Sequence, residues 1–138
     1  MIVIADSSAM LALVDRDQPE HVELALLYRK FRDGWTVPAS TLPELDYLIA
    51  RRIGAMARMS WLSDLEAGVF AIAWHVQDDL RNATRLDRQY RDLDLGYVDS
   101  MVMATAERLR ADAIATLDLR HFGAVRLAGN PRLLPRGG

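Results

Sequence analysis

Four acidic residues, Asp6, Glu44, Asp99 and Asp118, stand where the chain passes between apolar strands and helices. Asp6 follows the run MIVIA and Asp118 follows AIATL, while Glu44 and Asp99 fall in the opening turns of two predicted helices. In an open α/β sheet, ligands bind beyond the carboxyl ends of the strands, where helix N-termini also point. Carboxylates far apart in sequence can therefore converge on one pocket. A carboxylate cluster with no Cys and no paired His suits a hard divalent cation, Mg²⁺ or Mn²⁺. Four such charges without a counter-ion would raise one another's pKa values, and a bound cation relieves that repulsion.

Each acid also has a structural reading. Asp6 can cap the helix opening at Ser7. Thr41 and Glu44 in TLPE spell a capping box, with Pro43 in the first turn. Asp99 favours the dipole of the helix that follows Gly96, and Asp118 can form an Asx-turn. The other acids, Asp15, Asp17, Asp64, Glu66, Asp78, Asp79 and Asp87, read as solvated charge on polar helix faces or loops.

The elements that must position the four are short. MIVIA reads as a buried strand, followed by a helix over SSAMLALVD and another from Pro19 to Asp33, ended by Gly34. WTVPA is a second strand. Thr41 opens a helix to about Arg52, and a further helix covers Ala55 to Ala67. VFAIAWHV is the longest β-like run. Gln77 to Arg91 is a polar amphipathic helix and Val98 to Arg110 an apolar one, and AIATL and AVRLA close the sheet. The Pro- and Gly-rich tail over residues 129–138 is expected to be loosely ordered. Continuous apolar strands alternating with helices predict an α/β fold, a parallel sheet covered on both faces, in one domain.

Composition narrows the chemistry further. The chain has 138 residues, no cysteine and a net charge of −2. The length fits one domain with a substantial core. Disulfides, thiol catalysis and thiolate zinc sites are excluded, and a reducing cytoplasm fits. The apolar N-terminus has no basic leader and does not read as a signal peptide. No uncharged apolar stretch nears the roughly 18 residues that span a membrane. Any nucleic-acid binding must use a local basic patch. Arg81, Arg85 and Arg88 share a helix face, and the Arg51–Arg52 pair is the other candidate. An aspartyl-nucleophile phosphatase would need a second Asp two residues after Asp6, where Ser8 stands, and a phosphate-binding Lys, whereas Lys30 is the only lysine. There is no glycine-rich phosphate loop or dinucleotide fingerprint. His21, His75 and His121 show no ligand spacing, so a structural role is expected even for His121, the one nearest Asp118.

IADSSAMLALVD, VPASTLPELDYLI, LGYVDSMVMATAERL and IATLDLRHF, in that order, resemble the PIN-domain ribonucleases, and most closely the VapC-type toxins of bacterial toxin–antitoxin pairs. The resemblance spans Met1 to about Leu127. It implies a three-layer α/β/α sandwich, homodimerisation, Mg²⁺-dependent RNA cleavage and inhibition by a cognate antitoxin, with RNA as the substrate. The family's acidic quartet falls on Asp6, Glu44, Asp99 and Asp118. On that reading Asp6 and Asp99 hold the metal with Asp118 beside it, and Glu44 binds it directly or orients water. Ser8 and Thr116 line the site. Some members carry a further acid just before the last aromatic, but here His121 precedes Phe122, so a fifth acidic ligand is missing. The alternative is a catalytically silent PIN-like module that binds RNA or protein. The helices from Thr41 to Ala67 carry apolar residues beyond the needs of one sheet face (Leu45, Leu48, Ile49, Met56, Met59, Trp61, Leu62), which favours a homodimer.

Overall fold

The computed structural model describes residues 1–136. Five parallel strands, β1 Val3–Ala5, β2 Trp35–Pro38, β3 Ala71–Ala73, β4 Ala113–Ala115 and β5 Arg132–Leu134, form one sheet in the order β3-β2-β1-β4-β5. Side chains of successive strand residues point to opposite faces, and both faces are covered. Val3, Ala5, Val37, Ala113 and Ala115 join one core with Met10, Leu24, Leu45, Ile49 and Trp61. These come from α1 Ser7–Val14, α2 His21–Lys30, α3 Leu42–Arg52 and α4 Ala55–Glu66. Ile4 and Ile114 face the other way, into a core with Leu86, Val102, Met103, Ala106 and Phe122. Those belong to α5 Gln77–Gln89, α6 Gly96–Arg108 and α7 Leu119–Phe122. The result is the expected three-layer α/β/α sandwich with a central parallel sheet. Burial on both faces is why the strand runs are apolar without alternation.

The order of the strands fixes where a ligand can sit. From β1 the chain moves outward through β2 and β3, then returns to the other side of β1 for β4 and β5. The carboxyl ends of β1 and β4 therefore flank the topological switch point, where connections diverge and leave a crevice. Asp6 leaves β1 there, and Asp118 lies three residues beyond β4.

Several local expectations change. AVRLA is not a strand; β5 lies at Arg132–Leu134, within the segment expected to be a loose tail. A parallel neighbour of β4 needs a crossover of a dozen or more residues back to the sheet's starting edge. Residues 116–123 are too few for that, whereas 116–131 suffice. VFAIAWHV contributes only Ala71–Ala73, an outer strand with a single neighbour. Trp74 and Val76 beyond it are exposed, unlike the buried Trp35 and Trp61. The capping box does not form: the Thr41 hydroxyl donates to the Pro38 carbonyl at 2.8 Å.

Two acids read as solvated are buried. Asp15 caps the end of α1 and accepts from the Asp17 amide. Asp79 is 2% exposed, accepts from the Val76 amide at 3.0 Å and pairs with Arg108 at 2.9 Å. Arg108 also donates to the Trp74 carbonyl, so this pair pins the start of α5 to the end of α6. Gly54 turns the chain between α3 and α4 with φ of 143°, a conformation that disfavours any side chain. Of the apolar residues on those two helices, Leu45, Ile49 and Trp61 are core, Leu48 is half-buried, and Met56, Met59 and Leu62 are exposed.

Candidate metal centre

Asp6 is 4% exposed at the end of the central strand. It does cap α1, as one of its oxygens accepts from the Ala9 amide at 2.9 Å and the Ser8 hydroxyl at 2.7 Å. Its other oxygen accepts from the Thr116 hydroxyl at 2.5 Å. Those hydroxyls also tie β1 to the segment after β4. Ser8 Oγ accepts from the Leu117 amide, and Thr116 Oγ1 from the Asp118 amide, both at 2.9 Å. Ser8 and Thr116 therefore lie together against Asp6. Burial raises the Asp6 pKa to about 6, against the lowering effect of its hydrogen bonds, and the Asp99 charge adds to the rise. Three donors leave a carboxylate with about four lone-pair sites room for one more partner.

Asp99 projects from the first turn of α6. It makes no capping bond; its one hydrogen bond among the described residues joins Oδ2 to His121 Nδ1 at 2.6 Å. Asp118 caps α7, accepting from the His121 amide at 3.1 Å, and its Oδ2 lies 3.2 Å from His121 Nδ1. One imidazole nitrogen thus sits between two carboxylates. Burial raises the Asp99 pKa, the His121 hydrogen bond opposes that, and the charges of Asp118 and Glu44 reinforce it. The His121 pKa is raised in turn, first by its bond to Asp99 and against its own burial.

Glu44 is exposed in the first turn of α3 and reaches Asp99 through its charge, without a hydrogen bond or ion pair among the described residues. The other three acids also pair with no Arg or Lys among those residues. Asp99, Asp118 and His121 each offer a ligand atom, and these atoms lie within 4.8 Å of one another. Carboxylate oxygens crowded together without a permanent cation, at the switch point of a parallel sheet, fit a divalent ion.

His121 was expected to be structural; instead it stands inside the cluster. Its hydrogen-bond partner Asp99 comes from another element 22 residues away, and Asp118, three residues before it, is the one local signal. Arg120, beside it, is exposed, forms no ion pair among the described residues and acts on His121 through its charge. The proposed basic stripe is partly compensated. Arg81 pairs with Asp78 at 2.9 Å, and Arg85 lies 3.6 Å from Glu107, whereas Arg88, Arg51 and Arg52 are exposed and form no ion pair among the described residues.

Residues 3–127 match the family model for the PIN domain. The chain belongs to the PIN-domain family. Over 130 residues it is 34% identical to the ribonuclease VapC26 of Mycobacterium tuberculosis, covering 94% of this chain and 96% of that protein. Among solved structures, this PIN domain superposes on M. tuberculosis VapC20, a toxin that cleaves the sarcin–ricin loop, with a TM-score of 0.81 at 17% identity. That match covers 92% of this chain and 97% of the other. A DNA-bound VapBC of Salmonella typhimurium gives 0.72 at 16% identity over 96% of each chain. FitAcB of Neisseria gonorrhoeae gives 0.69 at 18% identity over 97% of each. At such identities these structures speak for the PIN fold, and VapC26 for homology with a VapC ribonuclease.

Proposed function

We propose that this PIN domain is a divalent-metal-dependent endoribonuclease, the toxin of a toxin–antitoxin pair acting in the cytoplasm. The observation that carries the reading is the convergence of Asp99 and Asp118 on one point beside buried Asp6, with no Arg or Lys paired to any of the three among the described residues. Homology with the ribonuclease VapC26 supports RNA as the substrate. Asp6, Asp99 and Asp118 are the metal-holding acids, and Glu44, open to solvent at the rim, orients the attacking water. When bound, Mg²⁺ or Mn²⁺ supplies positive charge to the phosphate and makes water a better nucleophile for in-line attack. Ser8 and Thr116 hold Asp6 in place by donating to both of its oxygens.

Cleavage of RNA is expected with added Mg²⁺ or Mn²⁺ and not in EDTA. A folded protein that binds RNA yet leaves it intact at every metal concentration would favour the silent binding module. Arg51, Arg52, Arg88 and Arg120 carry the exposed positive charge proposed to guide the RNA backbone, ahead of Arg81 and Arg85. Replacing them with Ala should weaken RNA binding and flatten its salt dependence. An unchanged salt slope would leave them as solvated charge.

An antitoxin is the proposed protein partner, its basic side chain entering the carboxylate cluster. A complex that cleaves as fast as the free toxin would oppose inhibition at the site. We also propose a homodimer, because Tyr47, Met56, Met59 and Leu62 leave an apolar face on α3 and α4 open to solvent. Light scattering should report twice the chain mass at micromolar concentration; a monomer would refute it. Among the described residues, no helix is long and apolar enough to cross a membrane.

A further inference from the structure

His121 is the one donor in the cluster that is not a carboxylate, and its ring is firmly placed. Its backbone amide donates to Asp118, and the next residue, Phe122, is anchored in the core at 4% exposure. Nδ1 is the ring atom turned inward, 2.6 Å from Asp99 Oδ2 and 3.2 Å from Asp118 Oδ2. In the metal-free protein Nδ1–H donates to Asp99, and Nε2 makes no hydrogen bond among the described residues. Nε2 can therefore keep the ring proton when a cation displaces the one on Nδ1, which leaves Nδ1 a lone pair to offer.

We propose that His121 Nδ1 is a direct ligand of the divalent cation, which makes the centre a mixed nitrogen–oxygen site that favours Mn²⁺ over Mg²⁺. This rests on the reading of the cluster as the metal centre. Ligand atoms bound at about 2.0–2.2 Å from one ion lie roughly 2.8–4.4 Å apart in octahedral geometry. The 3.2 Å separation from Asp118 falls in that range, and the 2.6 Å hydrogen bond to Asp99 has to open by a few tenths of an ångström when the ion replaces the proton between them. Mg²⁺ prefers oxygen donors and retains water, whereas imidazole is a better ligand for the ions later in the first transition row. A neutral nitrogen in place of a fifth carboxylate also removes one negative charge from the donor set, which weakens the pull on Mg²⁺. A hydrogen bond from Nδ1–H that merely orients Asp99 is the competing role, and it predicts different behaviour. An orienting bond would support every cation alike and place no nitrogen on the metal.

Pulsed electron paramagnetic resonance on the Mn²⁺-loaded protein, with calorimetric Mn²⁺ and Mg²⁺ affinities, separates the two roles. Wild type should show coupling to a directly bound nitrogen, and His121→Ala should lose it. His121→Ala should also lose Mn²⁺ affinity by about tenfold or more, the scale on which even outer-shell partners act, with a much smaller change for Mg²⁺. His121→Asp should shift preference toward Mg²⁺. Mn²⁺ bound without nitrogen coupling, or equal losses for both ions, would overturn the ligand assignment alone. If wild type binds neither ion, the metal-centre reading itself falls. The wild-type spectrum decides the matter even if a variant fails to fold.

Discussion

Asp99→Asn is expected to reduce metal-dependent RNA cleavage by at least about a hundredfold, the usual scale for removing a single charge-stabilising group. The protein should stay folded. Asn keeps the shape of Asp and can still accept from His121, but it lacks the negative charge that a hard cation requires. In the sequence, a favourable place at the start of a helix is the rival explanation for this residue. Asp99 does lie in the first turn of α6, but it makes no capping bond, and its only hydrogen bond among the described residues joins it to His121. Cleavage of a defined RNA at saturating Mg²⁺, with circular dichroism to confirm folding, checks the prediction. A folded variant that cuts at the wild-type rate would remove Asp99 from the active site.

The second large effect concerns stability. Without metal, ionised Asp6 should make the folded protein less stable as pH rises from about 4 to 6. Its folded pKa, about 6, lies above the ordinary 3.8 because burial disfavours the charge. The contribution is therefore fully present below about pH 3.8 and is lost as pH rises through the folded pKa, and linkage puts it at about 3 kcal/mol. Asp6→Asn removes this ionisation, so the variant should show a shallower fall across the same window in EDTA. Divalent cation should restore stability to the wild type at pH 7 and much less to the variant. Parallel pH profiles for the two proteins in EDTA would mean that Asp6 ionises as freely folded as unfolded. The stability cost and the function share one cause: a carboxylate kept from water and from basic partners.

Most of the architecture was legible because both faces of the sheet are buried, which makes β1, β2 and β4 read as apolar runs. Asp6 and Asp118 could be placed for the same reason, since each follows such a run. What failed depended on partners that the text does not display. Thr41 and Glu44 spell a capping box, yet the Thr41 hydroxyl finds the Pro38 carbonyl first. β5 is three residues between Pro131 and Pro135, too little signal to outweigh the prolines, and AVRLA nearby is more apolar without being free to pair. Asp79 looks like any acid in a polar helix until Arg108, 29 residues later, comes back to meet it. His121 belongs with these cases in part: Asp118 is three residues before it, but Asp99 is brought to it by the fold.

The strand hidden in the tail also guards the molecule against its own kind. β4 is an Ala-Ile-Ala strand next to the centre, and β5 covers its outer edge. A bare apolar edge offers unpaired amides and carbonyls to any extended segment that passes, the usual beginning of aggregation. The Thr116 amide is bonded to the Leu134 carbonyl, so the seal reaches the residue whose hydroxyl holds Asp6. Cover for the β4 edge and the anchoring of Thr116 therefore come from the same three-residue strand.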